Sequence, residues 1–215
     1  MVDLTLVFTY YNQPQMLAEQ VRVWQHYPPE QRGRLRIVVV DDGSAPPMAP
    51  PHVPGLAIAA LRIHDDLPWH QDEARNLAMR HVSGWAALLD IDHVVTTAAL
   101  TALLALSKQP GYWYPLARAT LDKARLRDAP NVFLMHAKDF QRLGGYDPAE
   151  GYGTDRYMVD KRNAHMRVGE RLTEPLMVYR ASDVADCSTT GLSRKVQFRR
   201  LPQPLPYRWD WLTSP

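Results

Sequence analysis

Cysteine is almost missing from this chain: one residue, Cys187, in 215. No internal disulfide can form, and a reducing compartment is the natural setting. With no basic partner beyond the general charge of the tail, that thiol reads as inert. Long apolar runs are missing too; none approaches the roughly 20 residues that span a bilayer. The N-terminus, Met1-Val2-Asp3-Leu4, has no basic stretch of the kind that opens a secretory signal. Internal repeats and low-complexity segments are absent. An excess of charge is lacking as well, since the formal net charge is only +2, so the whole chain is not a polycation. Together these absences point to a soluble, cytoplasmic protein.

What is present fits one α/β domain with a full core: 46% of residues are hydrophobic and 22% charged. We divide the chain into a domain over 1–183 and a basic C-terminal tail over 184–215, partly ordered. From Arg194 onward stand Arg194, Lys195, Arg199, Arg200 and Arg208 against Asp210 alone. The tail therefore holds the surplus of positive charge, and peripheral contact with a membrane surface through it stays open. Ser193 to Arg200 reads as a solvated basic segment.

Strand signals run over Leu4–Tyr10, Leu35–Val40, Leu56–Ile63, Trp85–Leu89, Gly111–Ala119, Val132–His136 and Pro175–Tyr179. Helix signals run over Gln13–His26, Gln71–His81, Lys138–Leu143 (stopped by Gly144-Gly145) and Asp155 to about His165. A further helix runs to Leu106 and is capped by Thr96 or Thr97. Strands alternating with helices predict a doubly wound sheet, which takes its ligand outside the carboxyl ends of its strands. Three polar clusters lie at such ends: Thr9-Tyr10-Tyr11-Asn12, Asp41-Asp42-Gly43-Ser44 and Asp90-Ile91-Asp92-His93. Asp41 to Ser44 alone would be an ordinary turn; the three together describe one crevice. In the third cluster, carboxylates one residue apart point to one side of a strand end. They repel unless a cation sits between them, and a hard divalent ion with a phosphate is the usual answer.

These pieces, in this order and spacing, resemble the family 2 type of glycosyltransferase, with the GT-A fold. The resemblance rests on Thr9 with Tyr11-Asn12, on Val38 to Ser44, on Glu73-Ala74-Arg75-Asn76, on Asp90-Ile91-Asp92 and on Phe140 to Asp155. It covers roughly residues 4 to 183. It implies a single Rossmann-like α/β/α sandwich with a mixed, mainly parallel sheet. It also implies transfer of a sugar from a nucleotide-sugar, UDP-sugar by preference, to an acceptor hydroxyl, with inversion and with Mn²⁺ or Mg²⁺.

Under that resemblance Thr9, Tyr11, Asp41, Asp42, Arg75 and Asp90 bind the nucleotide. Tyr11 offers a face for the base and Asp42 accepts an imino N–H, while Asp41 braces the turn or the ribose. Asp92 ligates the metal, helped by Asp90. Asp155 is the candidate general base, with Glu150 and Asp147 in reserve, although Thr154 stands where the family has Glu. Asp183 takes the place of the family's metal-binding His; His93 and His165 are weaker options. Trp69, His70, Gly153 and Thr154 are candidate sugar or acceptor contacts, although His64 to Asp72 also reads as a solvated loop.

Two other functions compete. A nucleotidyltransferase needs a Gly-rich, cationic loop after strand one, and Tyr11 to Gln15 has neither Gly nor cation. A GT-A module that binds nucleotide or nucleic acid without turnover is the other. For the acceptor we expect a glycan, a lipid-linked sugar or nucleic acid. The tail's cations with Trp209 and Trp211 suit a polyanion, for example hydroxymethylated pyrimidine in phage DNA, which would place the protein in a bacterium or a phage-infected host.

Overall fold

Four short runs of aliphatic residues lie side by side and are buried on both faces, which is the condition for a parallel sheet. In a computed structural model, which describes residues 2–127, 129–149, 157–187 and 203–213, these runs are β1 (Leu4–Tyr10), β2 (Leu35–Asp42), β3 (Ala57–Ile63) and β4 (Trp85–Asp90). The helices among them are α1 (Pro14–Gln25), α2 (Pro29–Arg32) and α3 (Gln71–Met79). Beyond them come β5 (His93–Val94), α4 (Thr97–Ala105), β6 (Tyr112–Thr120), β7 (Arg125–Leu126), β8 (Phe133–His136) and α5 (Ala137–Arg142). The last elements are α6 (Tyr157–His165), β9 (Arg167–Val168), β10 (Leu172–Val178), a 3₁₀ turn over Ala181–Asp183 and β11 (Trp209–Thr213).

The strand order is β11-β3-β2-β1-β4-β8-β6-β10-β5, with β7 and β9 added to β6. β3, β2, β1 and β4 are mutually parallel. β8 then runs antiparallel to both β4 and β6, and β10 returns parallel to β6. Side chains alternate between the two faces. Leu4, Leu6 and Phe8 pack with Trp24 of α1 and Leu100 and Leu103 of α4. Val7 and Val38 pack on the other face with Leu77 of α3, Phe140 of α5 and Met158 of α6. The result is an α/β/α sandwich around a mixed sheet.

The predicted strands and helices agree with these bounds to within a few residues. Thr96 is the cap of α4, its hydroxyl accepting from the Ala99 N–H. The final strand of the domain begins at Leu172 rather than Pro175; Pro175 cannot donate to the ladder and sits inside a register shift between Leu172 and Leu176. The tail holds an element the periodicity did not reveal. β11 pairs antiparallel with β3, Trp209 opposite Ile63 and Trp211 opposite Leu61, and forms one edge of the sheet. Among the described residues no helix is long and apolar enough to cross a membrane.

Candidate active site

The register of the parallel strands sets the site. Tyr10 lies beside Asp41, and Thr9 beside Asp90, so the carboxyl ends of β1, β2 and β4 finish together. At that edge is a cavity of about 320 Å³. Its lining includes Thr9, Tyr11, Asp42, Trp69, His70, Asp90 and Asp92, seven of the residues expected from sequence. Gln13 and Gln71 also line it.

Two adjacent aspartates divide their work by burial. Asp41 is fully buried, and its oxygens accept the N–H groups of Ser44 (2.9 Å) and Met48 (2.8 Å), so it braces the turn. Asp42 reaches the cavity, where the Nδ1 of His70 is 3.2 Å from its Oδ1. The turn that follows them needs glycine. Gly43 has φ +78°, and a Cβ there would meet the Asp65 carbonyl at 2.7 Å. That close approach lets the loop after β3 reach across, and the Tyr11 hydroxyl donates to Asp66 Oδ2 at 3.1 Å. Tyr10, behind it, has its phenol pushed up to about 12 by burial and by the charge of Asp41.

Asp90 is fixed from α3. Its Oδ1 accepts from Arg75 Nη2 at 2.5 Å and from Gln71 Nε2 at 2.6 Å. Gln71 also donates to the Thr9 hydroxyl at 3.1 Å. Gln71 was not singled out from sequence, yet its spacing of four from Arg75 places both on one helix face and could have identified it. Arg75 is wholly buried. Burial alone would lower its pKa, but Tyr146, Asp90 and Asp72 hold it above the ordinary value. Its other arm reaches the Tyr146 hydroxyl at 3.3 Å. Glycine matters again on that side: Gly145 has φ +68°, and a Cβ would lie 2.4 Å from the Asn76 carboxamide oxygen. Asn76 in turn accepts from Tyr146 N at 2.9 Å, which ties α3 to this segment.

Ligand atoms of Asp90, Asp92 and His93 lie within 4.8 Å of one another. His93 Nδ1 is 2.6 Å from Asp92 Oδ1, and its Nε2 is 3.2 Å from Arg118 Nη1. A guanidinium only donates, so Nε2 accepts and the ring proton sits on Nδ1, toward Asp92. Gln20 donates to the carbonyls of Ile91 (2.8 Å) and His93 (3.0 Å) and fixes this loop from α1. The third member of the cluster is thus His93, read from sequence as a minor option, and not Asp183. Asp183 Oδ2 accepts from Arg180 N at 2.7 Å, within its own turn. β10 comes close through the Tyr179 N–H, which donates to the Asp92 carbonyl at 2.9 Å. His93 is placed by its pairing with Val178, a contact between distant segments that local sequence does not announce. Asp155, Gly153, Thr154 and Glu150 lie outside the described residues. Asp147 Oδ1 accepts from Ala149 N at 3.0 Å.

No protein-family model matches this sequence, and no curated protein matches it. Solved structures do match. S. aureus TarS in complex with UDP-GlcNAc superposes with a TM-score of 0.65 at 10% identity, covering 83% of this chain and 59% of that one. The mannosyltransferase PcManGT from Pyrobaculum calidifontis, in complex with GDP-Man and Mn²⁺, gives 0.58 at 17% identity, covering 81% and 56%. A Drosophila β1,4-galactosyltransferase 7 mutant in complex with manganese, UDP-Gal and xylobiose gives 0.54 at 14% identity, covering 94% and 83%. The chain spans less than two thirds of the length of the first two. What these likenesses establish is architecture: this chain has the GT-A fold of glycosyltransferases.

Proposed function

We propose that this chain is a metal-dependent glycosyltransferase, similar to family 2, that moves a sugar from a nucleotide-sugar to an acceptor hydroxyl. One observation carries the reading: Asp90 and Asp92, clustered with the buried His93, line the same cavity as Asp42 and Tyr11. A metal-competent set and a base-competent set at one strand edge match a nucleoside diphosphate, which has a base at one end and charge at the other. The donor complexes of the structural neighbours, with UDP-GlcNAc, GDP-Man and UDP-Gal, support that direction.

The donor set fits a hard divalent ion. Carboxylates suit Mn²⁺ and Mg²⁺ alike, and an imidazole favours Mn²⁺ of the two. Asp90, Asp92 and His93 would hold it, the neutral imidazole moving its ring proton from Nδ1 to Nε2, away from the Arg118 contact, so that Nδ1 offers a lone pair. When bound, such an ion supplies Lewis-acid stabilisation of the departing diphosphate. The chain's own residues do the rest. Asp42 accepts an N–H from the base, and uracil is the base proposed. Tyr11, its hydroxyl tied to Asp66, offers a ring face that does not swing. Arg75 and Gln71 keep Asp90 turned toward the site. Asp155 is proposed as the base that removes the acceptor proton, with inversion at the anomeric carbon.

For the acceptor we propose a glycan hydroxyl, in keeping with xylobiose in the galactosyltransferase 7 complex. The tail's tryptophans, considered above as stacking platforms for nucleic acid, meet His81, with ring centroids 5.3 and 4.7 Å away, and Trp209 stays exposed. The test is a donor screen that reads released nucleoside diphosphate with Mn²⁺, with Mg²⁺ and with chelator, followed by mass spectrometry of a glycan panel and of hydroxymethylated DNA. Metal-dependent release of UDP is the expected result. Release of pyrophosphate, or no turnover of any donor, overturns the reading.

A further inference from the structure

We infer that the C-terminal segment 203–213 braces the donor-base site from behind its lining, and that Tyr207 and His70 are positioning residues that set the affinity for the base. The inference rests on the donor-site reading above.

The segment is anchored where the base-binding loop begins. β11 lies on β3, and just before it the Arg208 carbonyl accepts from His64 N at 2.9 Å. The Arg208 N–H donates to Asp65 Oδ2 at 2.8 Å, which holds the Asp65 carboxyl below its usual range. Asp65 precedes Asp66, the partner of Tyr11, and its carbonyl is the atom that only a glycine at position 43 can tolerate. The tail therefore fixes the loop that packs on the Asp41–Ser44 turn.

Tyr207 then reaches further in. Its ring meets His70 edge-on, centroids 4.7 Å apart at 74°. Its hydroxyl donates to Glu73 Oε1 at 2.6 Å, on the helix that carries Gln71 and Arg75. His70 is 95% buried, one residue after Trp69, whose φ of +33° bends the chain there. An ionised carboxylate only accepts, so His70 donates from Nδ1 to Asp42. Its Nε2 is buried and has no hydrogen-bond partner among the described residues. One hydrogen bond does not fix an imidazole plane; the Tyr207 ring supplies the second constraint. Asp42 is thereby aimed by a chain of contacts that starts in the tail. His70, read from sequence as a sugar or acceptor contact, acts instead through Asp42.

The test measures UDP and GDP binding by calorimetry, with Mn²⁺, on the full chain and on point variants, beside KM and kcat for the donor. Tyr207→Ala and His70→Ala should each raise the UDP dissociation constant about tenfold, a loss typical of a buried binding determinant. The loss should fall on KM more than on kcat. The double variant should lose little more than the worse single variant, because both act through Asp42. Tyr207→Phe keeps the ring and should retain most of the affinity, and His70→Asn, which can place an amide donor near Nδ1, should recover part of the His70→Ala loss. If the alanine variants do not fold, His70→Asn carries the test: weaker UDP binding than the unmodified chain is expected, and unchanged binding overturns the inference. Asp210→Ala, which removes only the exposed pairing with His64, should bind UDP as the unmodified chain does. UDP affinity unchanged in both Tyr207→Ala and His70→Ala, or simple additivity in the double variant, overturns the inference alone. An unmodified chain that binds neither nucleotide overturns the donor reading and this inference with it.

Discussion

The parallel half of the sheet and its mixed half solve different problems. On β2 and β4 each strand-end carboxylate has partners from a neighbouring turn, loop or helix: Ser44 and Met48 for Asp41, His70 for Asp42, Gln71 and Arg75 for Asp90. The proposed nucleotide end is therefore pre-formed, and its geometry depends on a few short stretches of chain. In the mixed half, β8, β6, β10 and β5 assemble from segments far apart in sequence, and what they deliver is one histidine and one backbone contact at Asp92. Preorganisation concentrates where the charge of the proposed donor would sit.

The comparison can be broken most sharply at Asp92. Asp92→Ala should reduce metal-dependent turnover by at least about 100-fold, read as released nucleoside diphosphate. His93→Ala should cost more activity than Asp183→Ala; the reverse order would return the third position to Asp183 and make the mixed half the principal metal platform.

Arg75→Met comes next, and its readout is stability. It leaves Asp90, one-third exposed at the cavity, with Gln71 as its remaining donor, and strips the Tyr146 hydroxyl of its partner, a loss of about 1–3 kcal/mol. The urea midpoint should fall by a corresponding amount. Arg75→Lys should not rescue it, since one ammonium cannot serve Asp90 and Tyr146 with the geometry of a guanidinium.

Alkaline pH offers a milder probe of the same half. A phenol ionises near pH 10 in an unfolded chain, whereas Tyr10 is held up to about 12 by burial and by Asp41. Between those values the unfolded state has lost a proton that the folded state keeps. Stability should therefore fall as pH rises from about 10 to 12. Tyrosinate absorbance beside denaturant midpoints checks this, and Tyr10→Phe should flatten part of the slope.

The smallest effect belongs to the tail. His81 lies under Trp209 and Trp211, and its pKa is lowered by burial and by Arg36 and Arg80. A lowered histidine adds stability above its unfolded value near 6.5 and loses it as pH falls below. Tryptophan fluorescence should show a modest loosening of β11 on acidification, and His81→Phe should remove it.

Much of this arrangement could be read from residues in order. Buried aliphatic runs ending in Asp gave the strand ends; Asp90 and Asp92 do converge, but Asp92 stands in the turn after β4, so the turn and not strand parity brings it there. What local pattern could not supply was contact across distance. His93 depends on Val178, Tyr207 on His70, and β11 on a strand some 150 residues earlier, as Thr213 beside Ala60 shows. In each case the residue type is ordinary and only its partner gives it meaning. Gln71 is the exception: its helical offset from Arg75 was visible, and a search for a second donor to Asp90 would have found it.

Gly145 carries a consequence for how this protein tolerates change. It has no functional group and no place in the chemistry, yet any side chain there would strike the Asn76 carboxamide and push on the helix that aims Arg75 and Gln71. In a library of random substitutions this position should be as unforgiving as the carboxylates themselves. A survey that ranked positions by lost activity alone would count an empty space among the catalytic groups.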